Sequence, residues 1–562
     1  MKYVFYILIG VLALVIWSIV NEHRLRKLLI MRLKKEWSNI PEEEYTSEKL
    51  ESLKAFYNSQ KDEQLDVDEI TWNDLDMSEI YMMMNNTQCS IGEEYLYSLL
   101  RKPSLSIEEL KERNRLMKFF SENEEQRIHV QTKLFPIGKL SRLSVFEYIN
   151  RLGDLEAKSN LIHYAMILGL LLSIALIFIQ PGIGGICTVL MVINNMYQYY
   201  REKSVIEKYL TIFAYIIRLL DGVKEIYKLE IPEIKIYTDQ LKQDADQFKQ
   251  FRRGSMWLTP KQASGDPAEL LLDYVRMLTH VDLIKYNSML HIFRNKRDTL
   301  NKIYRNIGFL DSMIAAASFR EMLPMYCEPE LLSTGRPKLS VTDLYHPLLE
   351  TPVVNSITEE KSVLLTGSNA SGKSTFIKTL AINQILAQTI DTSVSRSYRG
   401  SFFLIYSSMA LRDNILSKES YYIVEIKSLK RILDRVNDKY PILCFIDEVL
   451  RGTNTLERIA ASSRILSSLA RKNTMVFAAT HDIELTHILD RDYSNYHFQE
   501  RIEDNQILFD YKLYNGKAVS KNAIKLLNML GYPKDIIASA ENAAEEFLDK
   551  GEWSKISLDT IK

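Results

Sequence analysis

Cysteine is scarce in this chain of 562 residues: there are four, Cys89, Cys187, Cys327 and Cys444, and no two are spaced as CxxC. That excludes a disulfide framework and a cysteine zinc site, and it fits a reducing compartment. The nine histidines form no H-x-x-x-H or H-E-x-x-H pattern, so no histidine-held metal is implied. An excess of charge of one sign is also lacking, with 71 Lys and Arg against 72 Asp and Glu. The field of the whole molecule therefore does not advertise nucleic acid, although a local basic patch is compatible with it. Internal repeats and low-complexity tracts are absent, and the length suits about three domains.

What is present is organised around residues 361–380, KSVLLTGSNASGKSTFIKTL. An apolar, β-rich run (Val363, Leu364, Leu365) leads into Gly367-Ser368-Asn369-Ala370-Ser371-Gly372-Lys373-Ser374-Thr375, and helical spacing resumes at Phe376. Strand, G-x-x-x-x-G-K-S and helix in that order is the context of a phosphate-binding P-loop. Gly367 and Gly372 allow successive backbone N–H groups to turn toward phosphate oxygens. Lys373 brings a charge near the β- and γ-phosphates, Ser374 offers a hydroxyl to Mg²⁺, and the helix N-terminus adds its dipole. A Gly/Ser-rich loop of no function would not need all three parts to agree.

Two further strands fit the same chemistry. Pro441-Ile-Leu-Cys-Phe-Ile-Asp447-Glu448 is an apolar run ending in two carboxylates, a Walker B pattern in which Asp447 holds Mg²⁺ with Ser374 and Glu448 is the base or water-orienting residue. Thr474-Met-Val-Phe-Ala-Ala-Thr480 ends at His481, placed to sense the γ-phosphate or orient the attacking water. Catalytic roles are thus expected of Glu448, His481 and Lys373, with ATP and Mg²⁺ as cofactors. The region is expected to be an α/β P-loop NTPase domain.

Upstream the pattern is mostly helical. Ser106-Ile-Glu-Glu109 reads as a capping box opening a helix, and residues 91–100 have one apolar face. Residues 3–20 carry no charge, about 20 apolar residues suffice to cross a bilayer, and a basic block (Arg24, Arg26, Lys27, Arg32, Lys34, Lys35) follows. The reading is a retained transmembrane anchor at 1–21 rather than a cleaved signal peptide or a core helix. Residues 161–200 read as a transmembrane hairpin turning at Pro181, with a re-entrant or interfacial segment as the alternative for 183–200. The expectation is a multi-pass protein of the cell membrane with its ATPase domain in the cytoplasm. Basic clusters such as Phe251-Arg252-Arg253 and Phe293-Arg294-Asn-Lys-Arg297 are weak pointers to phosphate contacts.

Taken together, these motifs resemble the MutS family of mismatch-repair ATPases, itself related to ABC-type ATPases. The family's TGPNMxGKST is matched by Thr366-Gly-Ser-Asn-Ala-Ser-Gly-Lys-Ser-Thr375, and its SxxSTFMVEM by Ser417-Lys-Glu-Ser-Tyr-Tyr-Ile-Val-Glu-Ile426. Its DEIGRGTST is matched by Asp447-Glu-Val-Leu-Arg-Gly-Thr-Asn-Thr455 and its ATHxxEL by Ala479-Thr-His-Asp-Ile-Glu-Leu485, with weaker echoes at Tyr511–Gly516, around Gly335 and His346, and at Thr87–Gly92. The resemblance implies a MutS core and lever-like helical domain ahead of the ATPase. It also implies a homodimer in which the segment of Ser417 and Ser420 completes the partner's P-loop site, with nucleotide state coupled to a clamp that encloses DNA.

Beside the family's pattern, the expectation is of no mismatch-reading domain with its Phe-x-Glu wedge before the core and no nuclease-like domain after Lys562, with apolar segments within the core. The ATPase expectation stands, without one of mismatch recognition. An ATP-gated membrane scaffold or signalling module is the alternative, and an ABC-type transporter is disfavoured by too few spans. The divisions expected are an anchor at 1–21, a linker at 22–75, helical core at 76–160, the hairpin at 161–200, core and lever at 201–334, the ATPase domain at 335–545 and a tail at 546–562.

Overall fold

The computed structural model describes residues 2–140, 143–156, 158–252, 267–333, 336–409, 421–436, 439–451, 453–470, 473–503, 506–518, 524, 527 and 531–553. They form two compact units, one of Met1–Asp66 with Ser78–Pro324, the other of Val67–Met77 with Met325–Lys562.

The first unit is helical. Its helices are α1 (Lys2–Glu36) and α2 (Ser47–Asn58); then, after α3 (Glu69–Asp74) of the other unit, α4 (Met77–Met84), whose first residue still clusters there, α5 (Ser90–Arg101), α6 (Ile107–Glu122), α7 (Glu124–Leu134) and α8 (Val145–Asp154). There follow α9 (Leu161–Ile177), α10 (Pro181–Tyr227), α11 (Lys235–Asp246), α12 (Lys249–Arg252), α13 (Pro267–Thr279), α14 (Val281–Asn295) and α15 (Arg297–Met322). Ser106 caps α6 as its sequence predicts, its Oγ accepting the Glu109 N–H at 3.4 Å. The reciprocal half of the box is not made, because the Glu109 carboxylate accepts instead from Ser104 Oγ at 2.9 Å.

At the centre lies α5, buried along nearly its whole length, and its carboxylates Glu93 and Glu94 find partners far along the chain, Lys49 and Tyr304 among them. Cys89 contributes no side-chain cap to α5. Asp311 of α15 does so instead, accepting the Gln88 and Cys89 N–H groups at 3.0 and 3.1 Å. Burial pushes the Asp311 carboxyl up to about 6 against those hydrogen bonds. A Cβ on Gly92 would lie 2.2 Å from Asp311 Oδ2, so only glycine fits there. Glu94 likewise caps α8 from outside, accepting from Ser144 Oγ, Val145 N–H and Phe146 N–H as well as from Tyr304 OH.

The expected transmembrane helices are not found: among the described residues, no helix is long and apolar enough to cross a membrane. Helix α9 has 17 residues, which at 1.5 Å each gives about 26 Å against a hydrocarbon core of roughly 30 Å. It also carries the buried His163, whose Nδ1 meets Nδ1 of His280 at 3.0 Å. The opening of α10 stays apolar only to Ile193, and Asn195 is buried with its amide on the Leu278 carbonyl at 3.1 Å. In α1 the described side chains, from Ile16 on, give way within a few residues to Glu22, Arg24 and Arg26, and the helix continues to Glu36. The anchor at 1–21, the hairpin at 161–200, the membrane as partner and the multi-pass membrane location are therefore corrected. The outer surfaces of α9 and α10, and Phe178 just after α9, nonetheless expose apolar side chains, Leu168, Leu172, Ile186 and Leu190 among them.

The second unit is α/β. Its strands are β1 (Glu330–Leu332), β2 (Leu339–Leu344), β3 (Asn355–Glu359), β4 (Ser362–Thr366), β5 (Ser397–Ser401), β6 (Leu404–Ser408), β7 (Ile442–Asp447), β8 (Thr474–Ala479), β9 (Tyr493–Glu503) and β10 (Gln506–Asn515). Its helices, besides α3, include α16 (Lys373–Ile390), α17 (Tyr421–Arg435), α18 (Thr455–Ala470), α19 (Ile483–Ile488) and α20 (Lys534–Lys550). A small sheet runs β1-β5-β2-β3 and a larger one β10-β9-β4-β8-β7-β6, in which only the β9–β10 pair is antiparallel. Strands β4, β7 and β8 are buried at every position, which is why their sequences are unbroken apolar runs rather than alternating ones.

Candidate functional site

Strand register brings three separate sequence motifs to one place. Leu365 of β4 pairs with Ala479 of β8, and Ala479 pairs with Asp447 of β7. One rung across the sheet is thus followed, on each strand, by a chemically active segment: Gly367 onward after β4, Glu448 after β7 and His481 after β8. Backbone bonds close this carboxyl edge, with the Thr480 N–H on the Leu365 carbonyl and the Glu448 N–H on the Ala479 carbonyl, both at 2.9 Å. A crevice outside the carboxyl ends of parallel strands is where open α/β sheets bind ligands.

The loop after β4 is a cradle. Gly367 has φ +143, and a Cβ there would lie 2.6 Å from the Phe498 carbonyl oxygen, so the loop can pass β9 only without a side chain. Ala370 adopts φ +62 and Gly372 φ +108, turning the chain into the N-terminus of α16. Lys373, largely buried, donates to the Gly367 and Ser368 carbonyls at 2.8 Å each. Burial lowers its pKa, while Asp447 and Glu448 act to raise it. Ser368 Oγ donates to Glu500 at 2.8 Å, and Asn369, Ser374 and Thr375 are exposed at the mouth. Ser371 Oγ is buried with no hydrogen-bond partner among the described residues, a polar atom that a bound anion would satisfy. Residues and geometry fit a nucleotide phosphate chain with Mg²⁺ shared by Ser374 and Asp447.

Glu448 sits at φ +60, a left-handed conformation that turns its side chain out of strand direction. His481 Nε2 contacts Glu448 Oε1 at 2.9 Å, and Arg451 Nε pairs with Oε2. Burial alone would raise the Glu448 pKa, but the His481 and Arg451 hydrogen bonds and charges outweigh it and hold the carboxyl at about 2. Glu448 is therefore ionised with both oxygens engaged. The neighbouring Arg458 grips Asp482 with two bonds, 2.9 and 2.6 Å, fixing the turn that carries His481.

Beside the P-loop lies a cavity of about 340 Å³, lined among others by His346, Val353, Thr375, Phe376 and Tyr511. Tyr511 is brought there by a bulge in the β9–β10 pair between Phe509 and Leu513 and by its own left-handed φ of +54. Asn355 clamps the bulge, donating to the Tyr511 carbonyl at 3.0 Å and accepting the Leu513 N–H at 2.8 Å. The Tyr511 ring leaves 3.3 Å for a Cβ at Gly372. His346 is held neutral, its pKa lowered to about 4, chiefly by burial.

The structure thus gathers Lys373, Asp447, Glu448 and His481, together with the whole 367–375 loop, at one edge. Ser417 and Ser420 of the proposed trans segment lie outside the described residues. Sequence reasoning missed Tyr511 and Arg451 as site residues and gave Glu425 no role. All three stand within the motifs above, but only the bulge and the left-handed turn reveal where the first two point. Glu425, buried on α17, accepts the Leu450 N–H and so braces the turn after Glu448.

Residues 363–548 match the family description MutS domain V. The chain is 34% identical over 272 residues to MutS protein homolog 4 of Mus musculus, covering 43% of this chain and 28% of that protein. It is 27% identical over 304 residues to the DNA mismatch repair protein MSH3 of Debaryomyces hansenii (49% and 29%). To the DNA mismatch repair protein MutS of Thermotoga petrophila it is 23% identical over 344 residues (59% and 42%). The chain spans less than half the length of these curated relatives.

Proposed function

We propose, from the MutS-family membership that these matches support, that this chain binds and hydrolyses ATP in a dimer whose nucleotide state governs a mismatch-repair-related engagement of DNA. The observation that carries the ATPase reading is the common rung Leu365–Ala479–Asp447, which sets the P-loop, the Walker B carboxylates and His481 side by side. The DNA and dimer parts rest on the resemblance and on the names of the relatives.

In this reading the N–H groups of 367–375 and the Lys373 ammonium bind the phosphate chain, with Lys373 released from the Gly367 and Ser368 carbonyls it now holds. Ser374 and Asp447 would hold Mg²⁺, which when bound would supply positive charge to the β- and γ-phosphates. Water attacks the γ-phosphorus as the bond to the bridging oxygen breaks, giving ADP and phosphate. A Glu448 carboxyl at about 2 is a weak base. It serves to accept a hydrogen bond from the water and align it, which requires Arg451 or His481 to yield one oxygen. Val353 and Tyr511 flank the space left for the base. Residues 417 and 420 of the partner copy are proposed to complete the site.

The test is single-turnover hydrolysis with labelled ATP. Glu448→Gln should retain bound nucleotide while hydrolysis slows by about 100-fold or more, the scale for losing an oriented polar group in the reacting centre. Hydrolysis by Glu448→Gln at the wild-type rate would overturn the assignment.

A further inference from the structure

The residues between α2 and α4 lie in the half of the chain far from the P-loop, in a polar, acidic region that reads as a linker. Residues 67–77 nevertheless cluster with the α/β unit. They are no loose connection: Val67, Thr71, Trp72, Leu75 and Met77 are almost fully buried. Asp68 caps α3 through the Thr71 N–H at 2.9 Å and pairs with Arg431 of α17 at 2.5 Å. Thr71 Oγ1 accepts the Ser407 N–H at 3.1 Å, occupying a donor that the edge strand β6 would otherwise present to solvent. Asp74 accepts from Ser407 Oγ at 2.6 Å and from the Met409 N–H at 3.0 Å. Asp76, at φ +51, pairs with Lys378 of the P-loop helix α16 at 2.7 Å.

These contacts fall on three elements that build the site. Ser408 pairs with Ile446, the residue before Asp447, so Met409 marks the point where β6 ends beside the Walker B carboxylates. Lys378 stands five residues along α16 from Lys373, about 1.4 turns at 3.6 residues per turn. Helix α17 carries Glu425, which braces the turn after Glu448. A strap of eleven residues thus holds the end of β6, α16 and α17 at once, and by covalent connection it continues into α2 on one side and α4 on the other.

We propose that residues 67–77 are a positioning strap for the hydrolytic site: Asp74, acting through Ser407 and Met409, fixes the end of β6 against Asp447 and Glu448, and changes at the nucleotide are relayed into the strap. The proposal rests on the ATPase reading above. Its charge-bearing contacts (Asp68, Asp74 and Asp76) are spaced so that each end and the middle grip a different element, which simple burial of Trp72 would not require.

The test uses the full chain and separates binding from turnover. Asp74→Ala should leave the affinity for MgATP within about twofold while the maximal rate falls at least tenfold, and Asp74→Asn should recover part of that rate because its amide oxygen still accepts the Met409 N–H. Hydrogen exchange supplies a readout that a merely structural strap would not move: adding MgATP to Glu448→Gln should slow exchange in 67–77. Should Asp74→Ala fail to fold, Lys378→Met, which removes only the ion pair between Asp76 and α16, should still reduce that nucleotide-linked protection. Wild-type turnover in Asp74→Ala, or nucleotide binding with exchange in 67–77 unaltered, would overturn the strap alone. Absence of nucleotide binding in the wild type would instead overturn the ATPase reading beneath it.

Discussion

The helical unit and the α/β unit solve the same physical problem, satisfying buried polar groups, in opposite ways. In the α/β unit the active groups come from short contiguous motifs, and parallel register delivers them together at the carboxyl edge of β4, β8 and β7. In the helical unit the buried carboxylates Asp311 and Glu94 act at long range, each capping a helix more than 50 or even 200 residues away in sequence. A motif therefore announces the first kind of site, whereas nothing local announces the second. Chemistry that handles a ligand is built from neighbours, and chemistry that holds a bundle together can be assembled from anywhere.

Four substitutions would break or sharpen that contrast. The largest effect is expected for Asp447→Asn, which removes the proposed Mg²⁺ ligand at the end of β7: magnesium-dependent turnover should fall by about 100-fold or more, measured as phosphate release across a magnesium titration. Next is Gly367→Ala. Its Cβ would press on the Phe498 carbonyl at 2.6 Å in a backbone conformation that alanine resists, so nucleotide affinity should drop at least tenfold in a binding titration. In the helical unit, Gly92→Ala drives a methyl into Asp311 and should cost about 1–3 kcal/mol in denaturant melts while leaving the nucleotide affinity alone.

The smallest effect concerns pH. Burial pushes the Glu94 carboxyl up to about 8, above the ordinary value near 4.5 that it has when unfolded. Between those values the folded state binds the proton more tightly, so Glu94 stabilises most below about 4.5 and its contribution declines as pH rises to about 8. Glu94→Gln, which mimics the protonated form, should flatten the fall in melting midpoint between pH 5 and 8. An unchanged slope would remove Glu94 as its source.

Much of the α/β unit was legible in the sequence because each motif carries its own structural context. The run before Gly367 is a fully buried strand, the residues after Gly372 a helix, and the two other apolar runs the next two parallel strands on one side of it, β8 and then β7. The capping box at Ser106 was half legible, since its serine caps but its glutamate turns to Ser104. Apolar length misled at 161–200, because hydropathy does not register that His163 and Asn195 make buried hydrogen bonds within the bundle. Tyr511 and the strap at 67–77 were illegible for another reason. Both depend on tertiary placement, a bulge clamped by Asn355 in one case and an edge strand 336 residues downstream in the other.

The most direct measurement of the central claim is a calorimetric titration of MgATP into the purified chain, with Lys373→Ala in parallel. Saturable uptake of one nucleotide per chain by the wild type, lost in the variant, is the outcome predicted from the cradle after β4. No uptake by the wild type, or equal uptake by both proteins, would contradict it.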